Sequence, residues 1–345
     1  MKNLISSIYG SIMSCRTKAY TYGLLPSYSY AVPIVSIGNI QMGGTGKTPF
    51  VIWLCQRAIQ KGKIPLILSR GHKGKAEHGS FFLSFEQNKA FASTELGDEC
   101  LLYYKYLSKG GIALGKNRQW NLEQYYSVAC PDFVVLEDGF QHQRLKRDLD
   151  LVLLDASAPL SSLYPFPRGM LRGNFSEIER AHGVILTKTK ELSQVKKKYL
   201  YSQFSCPVME ADFEITAFHS LASRGEGEKK QIKVSYPSRW IAICGIGNPR
   251  YFVTSLQDYL VKNGGELVDS HFYPDHYSYT AEDISKLEAM AQEQSCGLIM
   301  TEKDAVKWRG ISVFPQVFWA NFEMSFAPDQ EEILLSLLHE VDLFL

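Results

Sequence analysis

The sequence predicts an α/β fold: a mostly parallel sheet flanked by helices, followed by a second, smaller α/β domain. Three observations predict it. Apolar runs of strand length at 32–37, 64–69, 133–136, 149–154 and 184–186 alternate with helical stretches, as in a doubly wound sheet. A Gly-rich loop joins the first of these strands to the helix after it. Near Pro207 the character changes, and a second strand–helix series starts at Trp240. A chain of 345 residues is too long for one ordinary core, so the division expected is 1–206 and 207–345.

The elements follow in order. Leu4, Ile5, Ile8, Tyr9, Ile12 and Met13 fall on one half of an N-terminal helix, with Ser6, Ser7, Gly10, Ser11 and Ser14 on the other. Lys2, Arg16 and Lys18 flank this stripe. Such a helix either lies in a membrane interface or packs on its own domain; the periodicity leaves both open. Residues 32–37 read as a buried strand. The helix after the loop is expected to open near Pro49, where a missing N–H costs nothing, and to run to about Lys61. In the second part, 208–218 alternates as a strand does, and 223–230 reads as an exposed polar loop. A strand at 240–244, helices after Pro249 and at 281–294, and a strand at 297–300 complete the series.

Bulk properties exclude several classes. A net charge of +1 gives no polyanion-binding surface, so nucleic acid is not an expected partner. Seven cysteines, none in a CxxC pair, argue against a disulfide framework or a zinc site. No run of about 18 apolar residues predicts a transmembrane helix.

The chemistry centres on Gly43, Gly44, Thr45, Gly46, Lys47 and Thr48. Glycines allow backbone N–H groups to approach phosphate oxygens, and the following helix N-terminus adds positive potential. Lys47 then reaches the β- and γ-phosphates of ATP, and the Thr48 hydroxyl binds Mg²⁺. The fold thus reads as P-loop NTPase-like. The strict P-loop pattern has Gly where this chain has Gln41. The strand at 133–136 ends in Glu137-Asp138, acids placed to hold Mg²⁺, with Asp138 the better candidate. Gln141 and His142 follow at a strand's C-terminal end, where α/β proteins bind ligands. His142 reads equally as a site residue or a satisfied loop histidine.

Eight segments in order resemble the tetraacyldisaccharide 4'-kinases: VPIVSIGNIQMGGTGKTPFV, SRGHKG, LGDE, LEDGFQHQRLKRDLDLVLLDA, FPRGMLRG, CGIGNPRYF, FYPDHYSYT and TEKDAVK. The resemblance runs from the N-terminal helix to about Lys307. It implies transfer of the ATP γ-phosphoryl group to the 4'-hydroxyl of tetraacyldisaccharide 1-phosphate, giving lipid IVA in lipid A synthesis. It also implies peripheral attachment at the cytoplasmic face of the bacterial inner membrane, which favours the interfacial reading of the N-terminal helix. A monomer is the oligomeric state assumed. The resemblance further implies a catalytic dyad of Asp98 and His276, the carboxylate accepting the sugar hydroxyl proton and the histidine sharing or orienting it. His271 is a second candidate. If both parts of the chain serve one reaction, the site lies in a cleft that closes on ATP.

The chain departs from the family twice. Glu137 stands where an Asp is usual, and Gly173 stands where a Glu often follows the Arg of the LRE segment. Arg118 and Arg172 suit phosphate contact, or surface ion pairs. Two other classes compete: a regulatory ATPase switch, which usually has Lys where this chain has Met42, and a P-loop kinase for a soluble metabolite.

Overall fold

A computed structural model describes residues 1–72, 74–87, 93–190, 192–221, 236–275, 277–308, 312 and 314–343, without the side chains of residues 93, 94 and 98. The loop expected at 223–230 lies outside the described residues. The chain divides into two compact units, residues 1–212 with 324–345, and residues 213–323.

The first unit begins with α1 (Lys2–Thr21). Then come β1 (Ile34–Asn39), α2 (Lys47–Gln60), β2 (Pro65–Ser69), β3 (Phe81–Ser84), α3 (Ser93–Leu96), α4 (Asp98–Tyr106) and β4 (Gly111–Leu114). Next are α5 (Arg118–Ala129), β5 (Phe133–Glu137), β6 (Leu149–Asp155), β7 (Gly183–Thr187) and α6 (Gln194–Tyr201), and β8 (Val208–Ser220) starts in this unit. Its strand order is β8-β7-β6-β1-β5-β2-β4-β3. β1 pairs in parallel with β5 and β6, β2 with β4 and β5, and β7 with β6 and β8, whereas β3 runs antiparallel to β4. Strands β1, β2, β4, β5 and β7 are buried at every residue, as a sheet covered on both faces requires. One face packs Ile34, Leu66, Leu68, Val134 and Leu136 against Leu122 of α5. The segments after β1 and β5 meet β6 and β7 in a second cluster, where Ile40 and Phe140 join Val152, Leu154, Val184 and Leu186.

The second unit holds the rest of β8, then β9 (Arg239–Cys244), α7 (Pro249–Lys262), β10 (Glu266–Phe272), α8 (Ala281–Glu293), β11 (Gly297–Thr301), α9 (Glu302–Trp308) and most of β12 (Val317–Phe326). Its strand order is β10-β9-β11-β12-β8. Alternation is clear here. Ile241, Ile243, Leu298 and Met300 pack with Ile284 and Leu287 of α8, while Trp240, Ala242, Cys244 and Ile299 pack with Phe252, Leu256 and Leu260 of α7.

The chain leaves the first unit within β8 and returns within β12, so the packing differs from the expected division at 206/207. The last helix, α10 (Pro328–His339), belongs with the first unit rather than with 207–323. Phe326 packs on Phe50 and Trp53 of α2, Gln330 Oε1 accepts the Glu210 N–H at 3.0 Å, and Glu331 pairs with Arg57. Apolar burial, not sequence order, decides where this segment docks.

α2 opens at Lys47, two residues before the expected start. Pro49 is therefore the third helical residue. Its missing N–H is still one of the first four that have no partner within the helix, so the proline costs nothing there. All seven cysteines are free.

Candidate active site

The site forms at the C-terminal ends of β5, β1, β6 and β7, where parallel sheets hold their ligands. β1 ends at Asn39, and the loop from Ile40 leads into α2. Gly43 and Gly46 have φ of 113° and 88°, conformations that a side chain would resist. Gly46 caps α2, which aims the helix N-terminus back at the loop.

Each flank of the loop is tied down. Gln41, in the place where the strict pattern has glycine, is buried and accepts the Asp155 N–H at 2.8 Å through Oε1. Residues 170–172 run beside the loop's first half: Met42 N–H donates to the Met170 carbonyl at 2.7 Å, and Arg172 N–H to the Ile40 carbonyl at 2.7 Å. Asn39 Nδ2 donates to Thr45 Oγ1 at 3.0 Å, and Thr187 Oγ1 to the Thr45 carbonyl at 3.1 Å. Lys188, directly after β7, donates to the Gly44 carbonyl at 2.9 Å and pairs with Asp155.

Lys47 Nζ lies 3.4 Å from Asp138 Oδ1, and Arg172 donates to Asp138 Oδ2 at 2.7 Å. Burial works against the Asp138 charge, but Lys47 and Arg172 outweigh it and hold the carboxyl down at about 2. Asp138 is thus an anion between two cations. It sits at φ 48°, and Lys188 at φ 59°, so two non-glycine residues just past strand ends carry the strain common at functional sites.

Glu137 differs from its neighbour. It is buried, Ser69 Oγ donates to its Oε2 at 2.8 Å, and Arg118 donates to its carbonyl at 3.1 Å. Burial, with the charges of Glu99 and Asp138, raises its carboxyl to about 7. Glu99 follows Asp98, so the head of α4 is electrically close to the end of β5. The Asp98 backbone opens α4; its side chain, and His276, lie outside the described residues. His271 on β10 has its Nε2 3.2 Å from Asp269 Oδ2.

Arg118 is buried, with an Nε that has no partner among the described residues. Gln141 Nε2 donates to the Asn39 carbonyl at 3.0 Å, bracing the end of β1. Burial, reinforced by Arg118, Arg147, Arg16 and Arg144, lowers the His142 imidazole to about 3. Behind these residues, Asp150 Oδ2 takes Arg147 Nε at 3.2 Å and Arg180 NH1 at 3.1 Å. The space at Gly173 is explained by a neighbour: a Cβ there would lie 2.6 Å from Glu177 Oε1. Glu177 accepts the Asn174 N–H and the Thr17 hydroxyl.

Sequence reasoning did not single out Lys188, Asp155, Ser69 or Glu177. Lys188 and Asp155 stand at the ends of two apolar strands, and reading every strand end as a site edge would have found them.

α1 docks by an unexpected face. Its small polar residues point inward: Ser6 Oγ donates to the Pro165 carbonyl at 2.5 Å, and Asn174 Nδ2 donates to the Gly10 carbonyl at 3.1 Å and Ser14 Oγ at 2.8 Å. A Cβ on Gly10 would collide with Asn174. Leu4, Ile8 and Ile12 are 66%, 53% and 61% exposed. Of the two sequence readings, the structure shows the helix packed on its own domain, with Leu4, Ile8 and Ile12 facing outward.

A model of the family described as tetraacyldisaccharide-1-P 4'-kinase matches residues 3–340. A tetraacyldisaccharide 4'-kinase of Desulfotalea psychrophila is 28% identical over 96% of this chain and 94% of that protein. One of Haemophilus influenzae is 32% identical over 88% of this chain and 81% of its own. A crystal structure of apo-form LpxK from Aquifex aeolicus in complex with ATP superposes with a TM-score of 0.72 at 26% identity, covering 98% of this chain and 97% of that one.

Proposed function

This chain belongs to the tetraacyldisaccharide-1-P 4'-kinase family, and from that premise we propose how its residues divide the reaction. The enzyme is an ATP-dependent kinase that moves the γ-phosphoryl group to the 4'-hydroxyl of tetraacyldisaccharide 1-phosphate, giving lipid IVA in lipid A synthesis. The observation that carries the division of labour is the Lys47–Asp138–Arg172 chain of charges beside the loop at the head of α2.

The N–H groups of 43–48 cradle the phosphates of ATP. Lys47 neutralises charge that develops on the transferred group. Thr48 and Asp138 suit a hard divalent cation: both offer oxygen, and Asp138 Oδ1 is buried and takes no hydrogen bond among the described residues, with Lys47 Nζ 3.4 Å away as an ion-pair partner. Bound there, Mg²⁺ would neutralise charge on the β- and γ-phosphates. We keep Glu137 as an outer partner acting through water, since Ser69 occupies its Oε2. Arg172 and Arg118 offer guanidinium groups to phosphate. Gln141 and His142 line the acceptor side.

Asp98 accepts the 4'-hydroxyl proton, and His276 shares it. That assignment rests on the LGDE and PDH segments and on the electrical closeness of α4's head to β5. Asp98→Ala is expected to lower kcat far more than it weakens ATP binding. An unchanged kcat would remove Asp98 from the role.

Peripheral membrane attachment at the cytoplasmic face is also our reading. Its support is the outward apolar stripe of α1; among the described residues no helix is long and apolar enough to cross a membrane.

The test is transfer of ³²P from γ-labelled ATP to tetraacyldisaccharide 1-phosphate. Lys47→Ala is expected to lower turnover by at least about 10²-fold. ATP hydrolysis with no label on lipid would mean a switch ATPase instead.

A further inference from the structure

Asp138 owes its orientation to the turn that follows it. One side of that turn rests on β1. A Cβ on Gly38 would lie 2.6 Å from Phe140 N, and Gly139 N–H donates to the Ile37 carbonyl at 3.3 Å. His142 N–H closes the turn on the Gly139 carbonyl at 2.8 Å. Arginines hold the same carbonyls. Arg147 Nη2 donates to those of Gly139 and Phe140, each at 3.3 Å, and Arg180 also donates to that of Phe140. The Arg180 guanidinium carbon stands 3.4 Å from the centroid of the Phe140 ring. Both guanidinium groups meet one carboxylate: Asp150 Oδ2 has Arg147 Nε at 3.2 Å and Arg180 Nη1 at 3.1 Å.

Stability is a poor reason for such a cluster. Asp150, on β6, is buried; its Oδ1 takes no hydrogen bond among the described residues, and Arg180 Nε makes none. Buried ions repay their desolvation only when their hydrogen bonds are complete, and apolar groups of similar volume often serve the fold as well or better. What the ions supply is direction. A guanidinium is planar and rigid, so two of them fix the orientation of two successive carbonyls. Those carbonyls belong to the residues directly after Asp138, whose φ is 48°. A backbone in that region persists where its surroundings over-determine it.

We propose, on the reading of Asp138 as a ligand of the divalent cation, that Arg147, Asp150 and Arg180 are positioning residues for it. They lock the backbone of 139–140 so that the Asp138 carboxylate faces Lys47, Arg172 and the cation together. Their effect on the reaction runs through Asp138 and not through the phosphates.

The test is a double-mutant cycle with two readouts: kcat for phosphoryl transfer, and binding of Mn²⁺ to the ADP-bound enzyme, followed by electron paramagnetic resonance. Arg180→Met keeps an apolar stem beside Phe140 and removes the guanidinium. It is expected to weaken Mn²⁺ binding about tenfold or more, as loss of a group that orients a metal ligand does, and to lower kcat with it. Asp138→Asn alone should cost at least as much. In the Asp138→Asn background, Arg180→Met should add less than about twofold to either loss. Because Arg180→Met leaves Asp150 one cation short, Asp150→Asn with Arg180→Met is measured beside it. That pair should regain melting temperature without regaining Mn²⁺ affinity. Recovery of both would mean that the single variant had only loosened the fold, and overturns the proposal. So does parental Mn²⁺ binding by Arg180→Met, or an equal loss in both backgrounds. Parental Mn²⁺ binding by Asp138→Asn removes Asp138 as a ligand, and the proposal falls with that reading.

Discussion

Asp138 occupies a left-handed conformation that an aspartate tolerates better than most side chains. That turn lets one carboxylate face Lys47 and Arg172 together, whereas Glu137, one residue earlier, is drawn to Ser69. The nearness of Lys47 to Asp138 was legible in the sequence, because a Gly-rich strand-to-helix loop and an acidic strand end were read together. The role of Gln41 was not, because it depends on the Asp155 backbone more than a hundred positions away. His142 was left between two readings, and the structure makes it a half-buried imidazole under the influence of several arginines. Burial first, then Arg118, Arg147, Arg16 and Arg144, keep it neutral down to about 3 instead of the ordinary 6.5. The unfolded chain takes up this proton as pH falls below about 6.5, and the folded chain does not, so His142 makes stability fall across that window. His142→Gln is expected to lose part of this acid sensitivity: between about pH 7 and about pH 4.5 its melting temperature should fall less steeply than that of the parent. Parallel melting curves across the range would refute the neutral-imidazole account.

Among the elements, strands were the most legible, since β1, β2, β5, β6 and β7 are predominantly apolar runs of the kind a sheet covered on both faces needs. Their ends were less so. A lysine after a strand reads like any turn residue, yet Lys188 spans from β7 to the phosphate loop and neutralises Asp155 on the strand beside it. Lys188→Met would remove the donor to Gly44 and leave Asp155 half-buried without this cation. The loop would then hold its N–H groups less firmly, and positioning errors of this kind are costly. We expect kcat/KM for ATP to fall about tenfold or more, with partial recovery in Lys188→Arg. A Lys188→Met enzyme with parental kcat/KM would show that the loop keeps its shape without this clamp. The melting temperature, read alongside, separates a loosened loop from a loosened fold.

For the whole molecule, the two-part organisation was legible in the change of pattern near Pro207, but the return of residues 324–343 to the first unit was not. An amphipathic segment such as α10 states that it has an apolar face, not which core will receive it. α1 raised the same ambiguity, with the opposite outcome. Its apolar stripe found no core, because Ser6, Gly10 and Ser14 allow the close, hydrogen-bonded approach to Pro165 and Asn174 that larger residues would block. Leu4, Ile8 and Ile12 therefore contribute little to the folded unit and are available to lipid. Replacing all three with serine is expected to leave the melting temperature within about 1 °C, since exposed substitutions away from caps and cores change stability little. The same variant should lose most of its vesicle binding, because each large apolar side chain withdrawn from lipid removes on the order of 1–2 kcal/mol of transfer free energy. Gly10→Leu should do the reverse: it forces α1 off Asn174, lowering the melting temperature while keeping the stripe intact. Co-flotation with vesicles and thermal melts on both variants decide the matter. A serine variant that melts early, or that floats as well as the parent, would show that the stripe serves the fold rather than the membrane.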